Sequence, residues 1–280
     1  QDIAKSTLKA IEAGSYTLNR VTYDLSKQTK ESERNTQFYN YNDPDLSKWR
    51  TTIPSSLSLR TQISILEIST LSGARHLRTL VADANARIGI LNFASAKKPG
   101  GGFLSGAQAQ EESIARSSNL YPTLMTSTGQ QFYKLHKATP KGGFYSHSMI
   151  FSPGVVVFKD DQGNLAEPLK VEVVTSPAVN AGLVRKTLLG LFAPAETEEK
   201  IAIAMEDRMG RILHLFEKQG VRNVVLGSFG TGVFKNKVEM VAEKWVNLFT
   251  SPRFRHSFDR VVFAILGRET FDVFKITYEE

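Results

Sequence analysis

Residues 92–112 read NFASAKKPGGGFLSGAQAQEE. Three consecutive glycines, Gly100, Gly101 and Gly102, are followed by two adjacent carboxylates, Glu111 and Glu112. A glycine triplet makes poor helix and poor strand, because each glycine loses much backbone freedom on folding. It is kept where backbone comes very close to something else. The stretch therefore reads as a strand end, a loop that wraps a ligand, and a helix start that delivers an acid to it.

Working outward, strands and helices alternate. TQISILEIS (61–69) is strand-like through Ile63, Ile65 and Ile68, since β-branched residues favour strands. Residues 71–85 read as helix, and 87–95 as the strand that runs into the glycine loop. Residues 106–124 read as helix until Pro122 stops it. Short strands are expected in 144–161, and a strand ending in a loop in 169–180. A long helix follows over 197–220, with an acidic first turn and a Gly stop. Then come a strand running into a second glycine loop (222–230), a helix (237–251) and a last strand (259–267). Such alternation means an α/β fold with a mixed central sheet between helices, three layers in all. Ligands collect beyond the carboxyl ends of strands in such sheets, and both glycine loops follow a strand end. The polar residues 1–34, with apolar Ile3, Leu8, Ile11, Leu18, Val21 and Leu25, read as one or two helices packed outside a core. Residues 35–60, rich in Asn, Ser and Pro, read mostly as loop. The expected division is an N-terminal helical extension over 1–58 and a catalytic domain over 59–280.

The 280 residues, 41% of them hydrophobic, suffice for a substantial core, and disorder is not the default. A net charge of +7 favours anionic partners or is simply a solvated basic surface. The absence of cysteine removes disulfides, Cys-type zinc fingers and thiol nucleophiles. Five scattered histidines without HExxH argue against a dedicated metal site. No apolar run is long enough to span a bilayer, and the first residues lack the apolar core of a secretory signal. An intracellular protein is expected, nuclear or cytoplasmic in a eukaryote. The chain does not begin with Met, which leaves a removed targeting segment open.

The second loop is Gly227-Ser228-Phe229-Gly230-Thr231-Gly232-Val233-Phe234. Strand, glycine loop and helix in that order turn several backbone N–H groups toward one anion. It lacks the Gly-Lys-Ser/Thr of a Walker loop, and its spacing is GxxGxG rather than GxGxxG. Taken alone, a tight packing turn explains it equally well. Phe229 and Phe234 either cover a sugar or base or are core anchors. Asn92 ends an apolar strand and is either a turn residue or a ribose ligand. Glu111 and Glu112 are either complements to the helix dipole or catalytic. Neighbours on a helix diverge by about 100°, whereas a two-carboxylate glycosidase places its acids about 5 Å or more apart across the bond. A glycosidic reaction here would therefore use one of the two for proton transfer.

The segments NFASAKKPGGGFLSGAQAQEESIARSSNLY (92–121), TSPAVNAG (175–182), VLGSFGTGVFKN (225–236) and VVFAIL (261–266) together resemble the microbial-type poly(ADP-ribose) glycohydrolases, macrodomain proteins with a GGG…QEE signature. The resemblance is sharp over 91–121 and 225–236 and loose over the first 55 residues or so. It implies a macrodomain with ADP-ribose in a crest cleft. It implies hydrolysis of the ribose–ribose O-glycosidic bond from chain ends, releasing ADP-ribose, within ADP-ribosylation signalling such as the DNA damage response. By position, Glu112 would be the catalytic acid and Glu111 would orient ribose hydroxyls. Gly100, Gly101 and Gly102 would let backbone approach the diphosphate. Ser228, Phe229, Gly230, Thr231, Gly232, Val233 and Phe234 would form the second phosphate loop. Asn92 and Gln110 would complete the substrate-binding set, and Phe271 or Phe274 would stack on adenine. No metal or other cofactor is implied. The partners are poly(ADP-ribose) or ADP-ribosylated protein, with ADP-ribose as product, no membrane, and a monomeric enzyme. Ser228 and Thr231 stand where the family usually has Ala and Cys, and Lys235-Asn236-Lys237-Val238 where it often has Asn-Asp-Pro. The alternatives are a mono-ADP-ribosyl-protein hydrolase, a non-catalytic ADP-ribose reader and, from the charge alone, a nucleic-acid binder without a supporting signature.

Overall fold

A computed structural model describes residues 1–54, 58–138 and 142–280. Residues 55–57, inside the stretch read as loop, lie outside the described residues. The N-terminal segment forms helix α1 (Asp2–Ala13), strands β1 (Ser15–Leu18) and β2 (Val21–Asp24), helix α2 (Ser26–Asn35) and strand β3 (Gln37–Tyr39). The chain continues as β4 (Gln62–Leu66), α3 (Thr70–Leu80), β5 (Ile88–Phe93), α4 (Gln110–Ser117), α5 (Leu120–Leu124), α6 (Ser127–Ala138), β6 (Met149–Lys159) and β7 (Leu165–Ser176). It ends with α7 (Ala181–Val184), α8 (Leu188–Phe192), α9 (Pro194–Lys218), β8 (Asn223–Leu226), α10 (Val238–Thr250), β9 (Arg260–Ala264) and α11 (Arg268–Glu279).

The main sheet has the order β3-β6-β7-β5-β8-β9-β4. Strands β7, β5, β8, β9 and β4 run parallel to one another. Strand β6 is antiparallel to both β3 and β7, so the sheet is mixed, as expected. Successive strand side chains point to opposite faces, and the two faces carry separate cores. Val261 and Phe263 of β9 pack with Met209, Phe216 and Trp245 from α9 and α10. Val262 between them packs with Leu71, Leu77, Ile114 and Phe132 from α3, α4 and α6. The result is a three-layer α/β/α fold.

Three expectations are corrected. The first 35 residues hold a β1–β2 hairpin as well as two helices; Asn19 and Arg20 at its turn take φ of 51° and 67°, the left-handed pair that a two-residue hairpin uses. Strand β3 pairs with β6 at the edge of the main sheet, so the first 58 residues are not a helical appendage alone. The helix after the glycine loop breaks before Pro122. Ser118 leaves the helix to bridge Val157, and Pro122 sits in the first turn of α5, where a missing N–H costs nothing. Helix α1 braces the back of α4: the Thr7 hydroxyl donates to the Arg116 carbonyl, and Ala4 packs with Phe103 and Ala115.

Candidate active site

A cavity of about 980 Å³ opens past the carboxyl ends of the parallel strands. Its walls include Phe93 at the end of β5, Ala178 after β7, Ser228 after β8 and Ala264 at the end of β9. Glu111 and Glu112 line one side, together with Lys97, Lys98 and Arg116. Helix α4 begins here with no side-chain cap, so its first N–H groups and its positive dipole end face the cavity.

The two carboxylates are held differently. Glu112 Oε1 accepts from the Gly102 N–H at 3.0 Å. Its other oxygen has no hydrogen bond among the described residues and is free for the cavity. Glu111 is 2% exposed, with Oε2 accepting from Asn92 Nδ2 at 3.0 Å and Oε1 from the Ser95 N–H at 2.8 Å. Burial pushes the Glu111 carboxyl up to about 8, and the nearby Glu112 adds to the rise, while the bonds from Ser95 and Asn92 oppose it. At neutral pH Glu111 is therefore a carboxylic acid, able to donate as well as accept.

This burial has a consequence for stability. The fold favours the protonated form of Glu111, so its contribution is fully present below the unfolded value near 4.5 and is lost as pH rises through about 8. The Glu111 contribution to thermal stability is therefore expected to fall as pH rises from the ordinary carboxyl range to about 8. Glu111→Gln cannot ionise and should flatten that segment of the profile. Unfolding midpoints measured across the range check this, and an equal slope in the variant would refute it.

The glycine triplet does not line the cavity. A methyl on Gly101, which has φ of +60°, would lie 2.5 Å from Glu112 Oε1 and 3.1 Å from Glu111 Oε1. A close approach of the triplet is thus to the two carboxylates. Despite their helical divergence, both side chains reach the same glycine, on one side of the cavity.

The second loop forms the opposite wall through Ser228, Gly230, Thr231, Gly232, Val233 and Phe234. The N–H groups of Phe229, Thr231, Lys235 and Asn236 are used within the loop. Those of Gly230, Gly232, Val233 and Phe234 have no partner among the described residues, which leaves several backbone donors for an anion. Gly230, at φ +74°, admits no side chain because a methyl would meet Ala178 Cβ at 2.3 Å. Asn236, standing in the departure from the family pattern, ties the loop down: its Nδ2 donates to the Val179 and Gly230 carbonyls. Helix α10 starts at Val238 without a side-chain cap.

Two predicted site residues, Asn92 and Phe229, lie elsewhere, and a third, Gln110, borders the cavity with its side chain already committed. Asn92 is fully buried behind Glu111, with Nδ2 shared between Glu111 and Thr175; it orients the carboxyl and does not line the cavity. Phe229 is a buried core residue whose ring packs at a tilt against that of Phe93, with centroids 5.5 Å apart. Gln110 borders the cavity, but its amide is committed to the Phe93 N–H, the Leu91 carbonyl and Thr70. It pins α4 to the end of β5. Neither Phe271 nor Phe274 lines the cavity; Phe274 is buried against Phe263 and Tyr278, and Leu266 and Thr270 hold that rim instead. Sequence reasoning missed Tyr145, a cavity residue at φ +56° whose ring lies 5.8 Å from that of Phe234. It also missed Ser95, whose hydroxyl accepts from the Lys97 and Lys98 N–H groups.

The three-layer fold, with one cleft between an acidic helix start and an amide-lined loop at the carboxyl edge of the sheet, is of the macrodomain class. Within that class, the chain belongs to the microbial-type poly(ADP-ribose) glycohydrolases: the family model "Microbial-type PARG, catalytic domain" matches residues 4–160. Poly(ADP-ribose) glycohydrolase from Thermomonospora curvata is similar at 34% identity and a TM-score of 0.86, over 99% of this chain and 97% of that one. The same enzyme bound to the inhibitor ADP-HPD matches with a TM-score of 0.84, again at 34% identity and over 99% and 97% of the two chains. Poly(ADP-ribose) glycohydrolase from Deinococcus radiodurans in complex with ADP-ribose matches at 30% identity and a TM-score of 0.78, over 90% and 97% of the two chains. Among curated proteins there is no match. Among the described residues, no helix is long and apolar enough to cross a membrane.

Proposed function

We propose that Glu112 is the acid with which this poly(ADP-ribose) glycohydrolase cleaves the ribose–ribose O-glycosidic bond. The observation that carries the assignment is the Glu112 carboxylate on the cavity wall, with one oxygen held by the Gly102 N–H and the other without a hydrogen bond among the described residues. The terminal ADP-ribose lies with its diphosphate against the free N–H groups of the second loop and its distal ribose toward α4. Glu112, protonated, gives its proton to the leaving ribose oxygen as the anomeric C–O bond breaks. Positive charge develops on the anomeric carbon, and the diphosphate of the substrate helps to balance it. Water attacks that carbon and gives its proton to Glu112, which is restored as an acid. Glu111, a neutral acid fixed by Asn92 and Ser95, orients the ribose hydroxyls. Cleavage proceeds from chain ends.

A digest of automodified, poly(ADP-ribosyl)ated protein tests the reading. Chains shortening to free ADP-ribose, with the protein-linked unit left behind, is the expected result. Loss of the protein-linked unit from a singly modified substrate would instead favour a mono-ADP-ribosyl hydrolase. ADP-ribose binding without any product would leave only a reader.

A further inference from the structure

We propose that Arg208 of α9 is a positioning residue that clamps the two loops supporting the second glycine loop, and thereby sets the affinity of the cleft for ADP-ribose. The inference rests on the reading of that loop as the diphosphate wall.

Arg208 is 1% exposed, an uncommon place for a guanidinium. Each of its three nitrogens donates a hydrogen bond. Nη1 donates to the Pro177 carbonyl at 2.9 Å, Nη2 to the Phe144 carbonyl at 2.8 Å and Nε to His147 Nδ1 at 3.1 Å. Pro177 and Phe144 each precede a cavity residue, Ala178 and Tyr145. The two loops are also tied to each other, since the Asn180 N–H donates to the Gly143 carbonyl at 2.7 Å.

Both loops bear on the anion-binding wall. Ala178 packs directly under Gly230. The Val179 carbonyl receives Asn236, which also holds the Gly230 carbonyl. Tyr145 stands beside Phe234. One rigid, planar five-donor group can join carbonyls from two loops and an imidazole at once; an ammonium cannot match that geometry. The clamp touches no reacting atom, so it acts on binding rather than on proton transfer. Substrate and transition state share the diphosphate contacts, and their loss raises KM with kcat nearly unchanged.

His147 makes the clamp sensitive to acid. Its Nδ1 accepts from Arg208, which leaves Nε2–H to face Asp207 Oδ2 at 3.3 Å. Burial lowers the His147 pKa; Asp207 opposes the shift, and Arg208 and Arg211 add to it. Protonation places an N–H against the Arg208 Nε–H and breaks that bond. His147→Gln supplies an acceptor oxygen and an amide NH₂ and removes the titratable ring.

The test uses Arg208→Met, Arg208→Lys and His147→Gln in the full chain, assayed below their unfolding midpoints. For Arg208→Met, the ADP-ribose Kd by calorimetry is expected to weaken about tenfold or more. KM for poly(ADP-ribose) should rise in step, kcat should stay within about threefold, and Arg208→Lys should recover part of the loss. Unchanged Kd in folded Arg208→Met, or a fall in kcat at unchanged Kd, overturns the proposal. If Arg208→Met does not fold, His147→Gln decides. Wild-type ADP-ribose binding should weaken as pH falls below the ordinary histidine range, because burial lowers the His147 pKa, and the variant should not; equal pH dependence in the two overturns it. Failure of the underlying site reading is visible separately, as wild-type protein that neither binds ADP-ribose nor shortens the polymer.

Discussion

Glu112→Gln is expected to lose turnover of poly(ADP-ribose) by about 10²–10⁴ while binding ADP-ribose within about threefold of wild type, because a positioned acid–base group contributes on that scale. The expectation follows from what each oxygen does. Oε1 accepts from the Gly102 N–H, and the amide oxygen of Gln can keep that bond. The free oxygen becomes an NH₂ group that can still donate a hydrogen bond but cannot release a proton to the leaving ribose. The change is isosteric, creates no cavity and leaves the anion-binding loop on the opposite wall untouched. Steady-state rates on the polymer and calorimetry with ADP-ribose separate the two effects. Wild-type turnover in the variant would remove Glu112 from the mechanism. Loss of turnover in Glu111→Gln alone would exchange the roles of the two acids.

The order of layers and the position of the cleft are legible from the alternation of strands and helices and from the two glycine loops at strand ends. The N-terminal hairpin and β3 are not, since strands of three or four residues offer no window in which a period of two can be seen. Within the site, sequence carries the presence of a close approach but not its object. Gly101 reads as room for a ligand and is room for the Glu112 and Glu111 carboxylates. Asn92 reads equally as turn or ligand, yet its place in β5 holds a clue. Ile90, two residues before it, belongs to a buried face, and period two puts Asn92 on the same side. A buried amide must find partners, and it finds Glu111 and Thr175. Arg208 holds a similar clue. Ile201, Met205, Arg208 and Ile212 fall at helical spacing, so an arginine interrupts an apolar stripe in α9, and the three apolar residues are buried core. What no pattern reveals is which carbonyls such a guanidinium meets, because these come from loops far away in sequence.

The second large effect is expected at the glycine triplet. Gly101→Ala should cut turnover about 10²-fold, the scale on which a misplacement of roughly 1 Å at a reacting group acts. Two physical effects combine. At φ +60° a residue with a Cβ is strained by about 1–2 kcal/mol, which thermal unfolding should register. The added methyl would also lie 2.5 Å from Glu112 Oε1, so either the carboxylate or the loop must give way. The bond from Gly102 that aims Glu112 is then stretched or lost, and the free oxygen no longer points where the leaving ribose sits. ADP-ribose affinity should change far less, because the triplet backs the acid and does not line the cavity. Rates and calorimetry on Gly101→Ala therefore decide between two uses of one glycine. A fall in kcat at nearly constant Kd fits a backbone shaped around the acid. A fall in affinity at constant kcat would return the triplet to the role its sequence suggests, a loop that wraps the diphosphate.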